Sequence, residues 1–448
     1  MKVVIRTLGC RLNQQESEAV AAAFTENNII LTSQEEECDL AVINTCTVTS
    51  KADRKNRQGI NSLVKRGIPV LVMGCYAAVD EEKILNSGEK ILVIPREKKG
   101  FSLHLPALLA DFPEVAGEDL FSFIKAALES FSENNGDFDF FCTEFANHTR
   151  GFLKIQDGCN HGCTYCRTVL ARGKSRSIPP ETALERVQAL EKAGICEVMI
   201  TGVNLAQYEK NGLDFPDLMQ DLLNGSEKIN FRISSFHPEK INDKFLKMAE
   251  NPRIMPHFHL SVQSGSDDIL KKMARPYTAK TVEEAVEKLR LIKDNPFIAC
   301  DIILGFPGER EEDFAKTLEL CRRCDFAWVH QFAFSPRPGT KAFSMPDKIP
   351  SEIVKKRQNL LFAQSLESKF RYCKSWEGKI LRTVIEKNRS DGRGVTENFL
   401  HIQVVNMDGR QGGKILPVKF IRARNLTGRE GEFEGEGLWI EDSLLNKN

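Results

Sequence analysis

Three cysteines, Cys159, Cys163 and Cys166, form a C-x3-C-x2-C motif within the segment DGCNHGCTYC. Thiolate sulfur is the soft ligand that iron–sulfur clusters use. A four-iron cluster held by three thiolates keeps one iron without a protein ligand, and that open position can chelate a small molecule. Zinc is the competing metal, but structural zinc sites normally have four ligands, and His161, the nearest fourth candidate, lies inside the tight loop. The motif therefore favours an iron–sulfur cluster.

A second set of cysteines, Cys10, Cys46 and Cys75, occurs in the segments TLGC, INTC and VMGC. Each one comes just after a short apolar run that is predicted to be a strand. The carboxyl ends of parallel strands share one edge of a sheet, so three such loops can converge. Free cysteines are commonly buried packing residues, but three in equivalent positions are better explained as ligands. They predict a second site of the same type.

The other seven of the 13 cysteines show no ligand pattern. Cys321 and Cys324 form CRRC within a predicted helix, where they merely share a face. Five more are expected to be packing residues, namely Cys38, Cys142, Cys196, Cys300 and Cys373. The start of the sequence, MKVVIRTLGC, lacks the apolar region of a signal peptide, so we expect a cytoplasmic protein, in which structural disulfides are disfavoured.

Composition excludes several classes of protein. A chain of 448 residues with 41% hydrophobic and 28% charged residues is globular, with two to four domains expected, and is neither mainly disordered nor fibrous. No apolar run approaches the ~18 residues of a membrane helix, so no membrane partner is expected. Lys plus Arg and Asp plus Glu both number 62. This balance argues against a protein that grips nucleic acid over its whole surface, although it permits a local basic patch.

Residues 1–135 alternate between apolar strands and helices. Such alternation predicts a parallel sheet covered by helices on both faces. Strands are predicted at 3–8, 39–45, 69–74 and 90–95, helices at 13–28, 50–66, from about 80 and across 101–128, and a linker at 132–141. The first domain boundary is expected near residues 133–147.

Residues 146–375 continue the alternation of strands and helices. Six strand candidates, separated by amphipathic helices, fit a complete or partial parallel barrel. Their sequences are FLKIQD, EVMITGV, NFRISSF, HFHLSV, FIACDIILGF and WVHQFAF. In this architecture the chemistry takes place where the strands end, and Cys159 follows the first strand.

Residues 376–448 contain short β-rich runs separated by Gly, Asn and Asp, which predict a small antiparallel barrel. The runs are ILRTVIE, FLHIQVV, KILPVKFI and GLWIED. Residues 379–429 carry 11 Lys or Arg against 4 Asp or Glu, whereas residues 430–442 carry six acids and no base. This segregation indicates either a local RNA contact or an ordinary solvated surface.

The motifs also resemble a known family. With Tyr165 before its third cysteine, the C-x3-C-x2-C motif resembles the radical S-adenosylmethionine superfamily, whose open iron binds the amino and carboxylate groups of S-adenosylmethionine. The segments TLGCRLNQQESE, NTCTVTSKAD and MGCYA resemble the amino-terminal domain of the methylthiotransferases. ARGKSRS, TGVNL, HLSVQSGSDDILKKMARPYT, DIILGFPGE and FSPRPGT resemble their radical domain, and the C-terminal piece resembles the RNA-binding TRAM module. The implied fold is an α/β domain, a partial (β/α)6 TIM-like barrel and a small antiparallel β-barrel.

The resemblance implies two 4Fe-4S clusters. Cys159, Cys163 and Cys166 would hold the cluster that generates the 5′-deoxyadenosyl radical. Cys10, Cys46 and Cys75 would hold a second cluster, whose open iron carries an added sulfide. Two molecules of S-adenosylmethionine would be consumed per product, and an electron donor such as flavodoxin or ferredoxin would reduce the clusters.

Eight further residues are candidates for binding S-adenosylmethionine. Those that end a strand near its amino-acid portion are Thr201, Gly202 and Asn204. Polar residues at the cavity mouth are Gln263, Ser264 and Arg275. Gly305 and Gly308 would permit close backbone approach near the adenine. For each of them, the alternative is an ordinary turn or helix-cap role.

The family divides by substrate. NQQESE and NTCTVTSKADRKNRQ look most like the branch that modifies threonylcarbamoyladenosine at position 37 of tRNA, beside the anticodon. The basic stretch supports RNA over protein, because phosphate contacts position such a substrate. The alternatives are isopentenyladenosine in tRNA and a ribosomal protein aspartate. A non-catalytic RNA-binding iron–sulfur sensor is a different class, but a sensor needs only one cluster.

Overall fold

The computed structural model of the protein describes residues 1–132, 136–146, 148–387, 391–407, 411–429 and 431–440. Part of the predicted linker, residues 133–135, lies outside these ranges, as do Glu430, Glu441 and Asp442 of the acidic stretch. Within the described ranges, every helix is too short or too polar to cross a membrane.

The N-terminal region, residues 1–132, contains one sheet of five strands. Its elements are β1 (Lys2–Thr7), α1 (Arg11–Glu26), β2 (Ile30–Leu31), β3 (Leu40–Thr45), α2 (Ser50–Val64), β4 (Val70–Gly74), α3 (Glu81–Leu85), β5 (Ile91–Val93), α4 (Phe101–Asp111) and α5 (Glu118–Ser130). The spatial order is β2-β1-β3-β4-β5, and every pair is parallel. Helices α1, α4 and α5 share one apolar core with the sheet, and α2 and α3 share another. The predicted two-sided α/β sheet is confirmed.

The central region, residues 148–374, holds the second group of strands. Its elements are β6 (Gly151–Asp157), α6 (Thr168–Arg172), β7 (Arg176–Ser177), α7 (Pro180–Lys192), β8 (Glu197–Gly202), β9 (Glu209–Lys210), β10 (Leu213–Asp214), α8 (Phe215–Asn224), β11 (Asn230–Ile233), α9 (Asp243–Ala249), β12 (His257–Gln263), α10 (Asp267–Lys272), α11 (Ala279–Ile292), β13 (Phe297–Leu304), α12 (Glu311–Cys324), β14 (Trp328–Ala333) and α13 (Ser351–Lys374). Five short 3-10 helices complete the two regions, at Glu35–Glu37, Arg96–Lys98, Leu205–Gln207, Pro238–Lys240 and Lys341–Ser344.

The six long strands of the central region form a partial barrel. Strands β6, β8 and β11 pair in parallel, as do β12, β13 and β14. Two isolated parallel bridges, Phe231 to Ile254 and Phe236 to Leu260, join the chain just beyond β11 and just before β12 to the neighbouring strand. The helices pack on the outer face over Leu153, Ile155 and the other members of a large apolar core. The opposite, concave face is left for polar side chains.

Helix α1 of the N-terminal region covers part of this concave face. The Thr201 hydroxyl donates to Gln15 Oε1 over 2.9 Å, and Lys154 Nζ lies 3.3 Å from Glu16 Oε1. Both Gln15 and Glu16 are almost fully buried despite their polarity. The polar residues of the NQQESE segment therefore dock one region against the other.

The C-terminal residues form a closed barrel. Its strands are β15 (Ile380–Ile385), β16 (Arg393–Thr396), β17 (His401–Val404), β18 (Ile415–Ala423) and β19 (Gly435–Trp439), in the order β15-β16-β17-β19-β18. The pair β17–β19 is parallel and the other pairs are antiparallel. The four predicted runs missed β16, because RGVT is short and begins with Arg and Gly. The domain limits 1–135, 146–375 and 376–448 stay predictions.

Candidate active site

Cys10, Cys46 and Cys75 follow β1, β3 and β4 at one edge of the first sheet, and their loops are tied together. A Cβ atom on Gly9 would lie 2.7 Å from Cys46 Cβ, so the turn before Cys10 lies against Cys46. Asn13 Nδ2 donates to the backbone oxygen of Thr45 over 2.8 Å. The backbone N–H of Cys75 donates to the same oxygen over 2.9 Å. The structure thus brings the second predicted set together.

The thiols of this set interact electrostatically. Burial raises the pKa of Cys46 to about 12, and the neighbouring Cys75 and Cys10 add to the effect. Burial also raises the pKa of Cys75, while Arg172 opposes the rise. Thiols with raised pKa values are protonated at neutral pH unless a metal binds them, so metal binding must release their protons.

Cys159, Cys163 and Cys166 lie in the loop that follows β6, as predicted. N–H donors surround their sulfurs. The backbone N–H of His161 donates to Cys159 over 3.4 Å, and Asn204 Nδ2 lies 3.9 Å from the same sulfur. Arg275 donates to Cys163 over 3.3 Å, and the backbone N–H of Thr168 donates to Cys166 over 3.4 Å. Burial raises the pKa of the Cys159 and Cys166 thiols. N–H donors aimed at sulfur suit thiolate ligands of a cluster.

Both cysteine sets are too open for a single tetrahedral ion. Zinc–sulfur bonds of about 2.3 Å place the sulfurs of a zinc site within roughly 4 Å of one another. Across the described part of the chain, only His161, His237 and Glu239 bring three potential ligand atoms within 4.8 Å of one another. The wider spacing of the cysteines, together with their all-sulfur donor set, fits a multi-iron cluster.

The histidine group is linked to Cys163 instead of being free for a metal. His237 Nδ1 lies 3.1 Å from Glu239 Oε1, and its Nε2 lies 3.4 Å from an Arg275 nitrogen. Arg275 also donates to Cys163 and, over 2.7 Å, to the Tyr277 hydroxyl. Both imidazole nitrogens of His237 are therefore engaged, and Arg275, predicted as a cofactor contact, donates to the Cys163 thiol.

Asn204 offers an open polar atom beside Cys159. Its backbone N–H donates to Gln156 Oε1 over 2.7 Å, which fixes the turn after β8. Its side-chain oxygen, Oδ1, is buried and has no hydrogen-bond partner. A buried acceptor without a donor is costly, so this atom fits a ligand that carries N–H groups, as S-adenosylmethionine does. Thr201 and Gly202 immediately precede this turn in β8.

The remaining predicted contacts make local bonds that do not reach the cysteines. Gln263 has a positive φ of 71° beside a bulge in β12, and Ser264 Oγ accepts from the Ser266 N–H. The N–H of Gly305 donates to Glu309 Oε2, and that of Gly308 donates to the Asp347 oxygen. The roles of these residues in binding S-adenosylmethionine stay predictions.

A buried ion network connects the two cysteine loops. Arg172 Nε donates to Cys75 Sγ over 3.1 Å, and its NH1 lies 3.0 Å from Glu16 and 3.1 Å from Asp157. Lys154 pairs with Asp157 and Glu16, and Lys99 pairs with Glu16. Burial alone would raise the pKa of both carboxyls, but these cations hold each pKa below its usual range. Asp157 lies two residues before Cys159, so the network runs from Cys75 to the end of the strand that leads into the first cysteine set.

Two features of the sequence accompany this network, but they do not identify it. Lys154 and Gln156 alternate with apolar residues in β6, which is typical of a strand with one polar face. The helix α1 carries polar residues where an apolar stripe was expected. Neither signal identifies the partner residues, which come from distant segments.

Further contacts link the residues that follow Cys46 and Cys166. Arg167 donates to Asp80 over 2.7 Å and to the Thr47 hydroxyl over 3.3 Å. Arg337, from the FSPRPGT segment, donates to the same hydroxyl over 2.7 Å and pairs with Asp53. Both cysteine sets thus lie at one interface between the N-terminal and central regions.

Comparison with known proteins identifies the family. Residues 153–321 match the Radical SAM superfamily, and residues 2–94 match the group described as Uncharacterized protein family UPF0004. A protein from Treponema pallidum named threonylcarbamoyladenosine tRNA methylthiotransferase MtaB is 37% identical, over 91% of this chain and 95% of its own length. The chain belongs to the radical S-adenosylmethionine methylthiotransferase family. The predicted resemblance is confirmed, and this methylthiotransferase is an enzyme whose family implies a 4Fe-4S cluster and S-adenosylmethionine.

Other relatives of this methylthiotransferase carry two different names. A protein from Aquifex aeolicus, also named threonylcarbamoyladenosine tRNA methylthiotransferase MtaB, is 35% identical over 90% of this chain and 96% of its own. A Bacillus subtilis protein named tRNA-2-methylthio-N(6)-dimethylallyladenosine synthase is 31% identical over 98% of this chain and 87% of its own.

Solved structures confirm the fold of the methylthiotransferase. The cobalamin-dependent S-adenosylmethionine radical enzyme OxsB has a TM-score of 0.51 at 13% identity, over 81% of this chain and 56% of its own. The radical S-adenosylmethionine methyltransferase TsrM from Kitasatospora setae has a TM-score of 0.50 at 12% identity, over 76% of each chain. At these identities the likeness concerns the fold alone.

Proposed function

We propose that this methylthiotransferase modifies C2 of N6-threonylcarbamoyladenosine at position 37 of tRNA, using two 4Fe-4S clusters and S-adenosylmethionine. The observation that carries the proposal is the convergence of two cysteine sets at one interface, joined through Arg172. Attaching sulfur to an aromatic carbon needs a centre that removes hydrogen and a centre that delivers sulfur to the same atom. Two cysteine sets at one interface between the regions would meet that requirement.

The proposal assigns a role to each cysteine set. Residues 146–375 would form the radical domain, with Cys159, Cys163 and Cys166 as ligands. Residues 1–135 would form the sulfur-carrying domain, with Cys10, Cys46 and Cys75 as ligands. When bound, the first cluster and S-adenosylmethionine supply a radical able to take hydrogen from an unactivated C–H bond, and the second cluster supplies sulfur.

The protein's own residues position and shield these groups. Asn204 Oδ1 would accept an N–H of S-adenosylmethionine beside Cys159, and Arg275 would donate to the thiolate of Cys163. Arg167 and Arg172 tie the two regions together beside the cysteines through buried ion pairs with Asp80 and Glu16. A closed interface excludes water, which would otherwise quench reactive intermediates. A small reductant such as flavodoxin or ferredoxin would supply the electrons.

Two features support tRNA as the substrate. The relatives named above act on tRNA, according to their names. Residues 376–448 would form an RNA-binding barrel, whose strands β15, β18 and β19 bring Ile380, Lys419 and Leu438 side by side. All three side chains are exposed, which suits contact with phosphates and bases.

The relatives and the NQQESE segment support the choice of substrate branch. Relatives with the threonylcarbamoyladenosine name are 30–37% identical, and the most similar of them exceed the 31% of a relative with the dimethylallyladenosine name. The relative with that second name matches nearly the whole chain, so dimethylallyladenosine is the second candidate substrate. A ribosomal protein aspartate and a non-catalytic sensor are less well supported.

Mass spectrometry of tRNA nucleosides from a deletion strain tests the proposal. We expect methylthio-threonylcarbamoyladenosine to disappear, its unmethylthiolated precursor to accumulate, and the wild-type gene but not Cys159→Ala to restore the product. Loss of the methylthio derivative of dimethylallyladenosine instead would show that the branch is wrong. Unchanged levels of both nucleosides would overturn the proposal.

A further inference from the structure

Arg172 is the side chain through which the central region reaches the cysteines of the N-terminal region. It lies at the end of α6, is only 6% exposed, and uses all three guanidinium nitrogens. Its Nε donates to Cys75, its NH1 to Glu16 and Asp157, and its NH2 to Asn13 Oδ1 over 3.0 Å. The side chain is therefore fixed by carboxylates and an amide, with one N–H aimed at sulfur.

The buried network around Arg172 holds an excess of positive charge. Its five members are Glu16, Lys99, Lys154, Asp157 and Arg172, of which the least buried is 8% exposed. Three cations against two carboxylates leave one positive charge uncompensated among these five. Arg96 and Asp137 line a small cavity of about 20 Å³ together with Cys75, Lys99 and Arg172. Asp137 pairs with Arg176, so these neighbours do not reduce the positive excess.

An unbalanced charge in a buried network is unfavourable unless an anion lies next to it. A thiolate at Cys75 would be such an anion, 3.1 Å from Arg172 Nε. An iron–sulfur cluster held by three thiolates carries net negative charge, so it would balance the network fully. The network is thus built for the metal-bound form of Cys75.

We infer that Arg172 is a positioning residue for the second cluster, supplied by the central region to a site whose ligands all come from the N-terminal region. It donates a hydrogen bond to the Cys75 thiolate and compensates the negative charge of the cluster. The inference rests on the proposed assignment of a cluster to Cys10, Cys46 and Cys75. Because Arg172 belongs to the central region, retention of the second cluster depends on docking of the two regions.

The physical consequences concern affinity and reduction potential. Hydrogen bonds to cluster sulfurs and nearby positive charge favour the reduced, more negative form, so they raise the potential. Loss of an outer partner of a metal ligand typically costs about 10–100-fold in metal affinity. Arg172 supplies both the hydrogen bond and the charge.

The experiment uses the full chain with the first cluster removed. The triple variant Cys159→Ala, Cys163→Ala, Cys166→Ala is reconstituted anaerobically and should hold about four irons per chain. Adding Arg172→Met should speed iron loss to a chelator by about 10–100-fold and shift the midpoint potential, followed by electron paramagnetic resonance, to a more negative value. Arg172→Lys keeps the charge but loses the fixed fork of donors, so its effect should be intermediate.

Arg167→Met is the matched control. Arg167 also makes a buried ion pair between the two regions, to Asp80, but its contacts are with oxygen atoms. In the same triple-variant background it should leave the midpoint potential unchanged and speed iron loss far less than Arg172→Met does, because it weakens docking without removing the hydrogen bond to Cys75. Circular dichroism checks folding, and if Arg172→Met does not fold, Arg172→Lys carries the comparison.

Distinct outcomes separate the inference from the function on which it rests. If Arg172→Met changes neither iron retention nor the midpoint potential, the inference is overturned. Where only Arg172→Lys folds, the same result from that variant overturns it. Equal losses from the Arg167 and Arg172 variants would also overturn it, because region docking alone would then explain them. A triple variant that binds no iron would overturn the assigned second cluster instead.

Discussion

His257 is a buried imidazole that stays neutral in the folded protein. Burial lowers its pKa well below the usual range, and the guanidiniums of Arg232 and Arg11 lower it further. In the unfolded chain the same imidazole takes up a proton below about pH 6.5. The folded state therefore binds fewer protons, and its stability falls as the pH drops below 6.5, by up to about 1.4 kcal/mol per pH unit.

Replacing His257 with phenylalanine tests this residue-scale effect. The ring lies 4.2 Å from that of Phe399, a contact that phenylalanine can keep. We expect the melting temperature of His257→Phe to fall less than that of the wild type between pH 7.5 and pH 5.5. His104→Phe, which removes an exposed histidine of α4, should behave like the wild type. Equal acid losses in wild type and His257→Phe would contradict the argument.

At the residue scale, the convergence of each cysteine set could be predicted from the sequence, but the residues that contact the cysteines could not. The cysteines of both sets could be assigned because thiol chemistry and position after a strand are visible in the sequence. Arg172 could not, because its bond to Cys75 joins residues 97 positions apart. Nothing local distinguishes this arginine from the many others in the chain.

At the scale of elements, two glycine turns set the positions of Cys75 and Cys159. Gly74 has φ +95° and Gly158 has φ +71°, values that side chains rarely adopt. A Cβ on Gly158 would overlap the backbone oxygen of Lys174, and a Cβ on Gly74 would overlap Asn44 and the Thr45 backbone. Backbone atoms cannot rotate away, so neither turn can accept a larger residue without moving its cysteine.

Gly158→Ala should therefore displace Cys159 and remove the first cluster. We expect iron in the reconstituted protein to fall from about eight to about four per chain, and cleavage of S-adenosylmethionine to be lost. Gly67→Ala is the control, because Gly67 has a similar φ of +75° but open space around it. That variant bears only the backbone strain of about 1–2 kcal/mol and should keep its iron. If Gly158→Ala cleaves S-adenosylmethionine at the wild-type rate, the turn does not set the position of Cys159.

Periodicity predicted most elements but not how they pair with distant ones. The strand expected at 39–45 is Leu40–Thr45, and the helix expected at 50–66 is Ser50–Val64. In contrast, the polar face of α1 is buried because it meets the concave face of the central barrel, which no local pattern reveals. Long-range contacts of this kind decide which polar residues are buried.

At the scale of the whole molecule, the segregated charges of the C-terminal sequence are interleaved in space. Glu436 pairs with both Arg422 and Arg424, because barrel closure places β19 beside β18. Glu434 folds back onto Lys369 of α13. The basic stretch is thus partly neutralised by its acidic neighbour, which composition alone could not show.

The C-terminal barrel is also docked firmly on the central region. Phe399, in the turn between β16 and β17, lies within 5.8 Å of the guanidinium carbons of Arg11, Arg150 and Arg232. Arg11 directly follows Cys10, so the barrel reaches the neighbour of a predicted cluster ligand. RNA bound to the barrel would therefore have a fixed position relative to the candidate active site.

Lys419 provides the whole-molecule test of RNA binding. It is exposed on β18 between Ile380 of β15 and Leu438 of β19, where a cation can meet phosphate. Because each phosphate contact releases counterions, Lys419→Gln should weaken tRNA binding and reduce the salt dependence of log Kd by about one unit of slope. Lys280→Gln, on the outer helix α11, should change neither quantity. If filter binding across a salt series gives the same slope for Lys419→Gln and the wild type, the RNA contact lies on another face of the barrel.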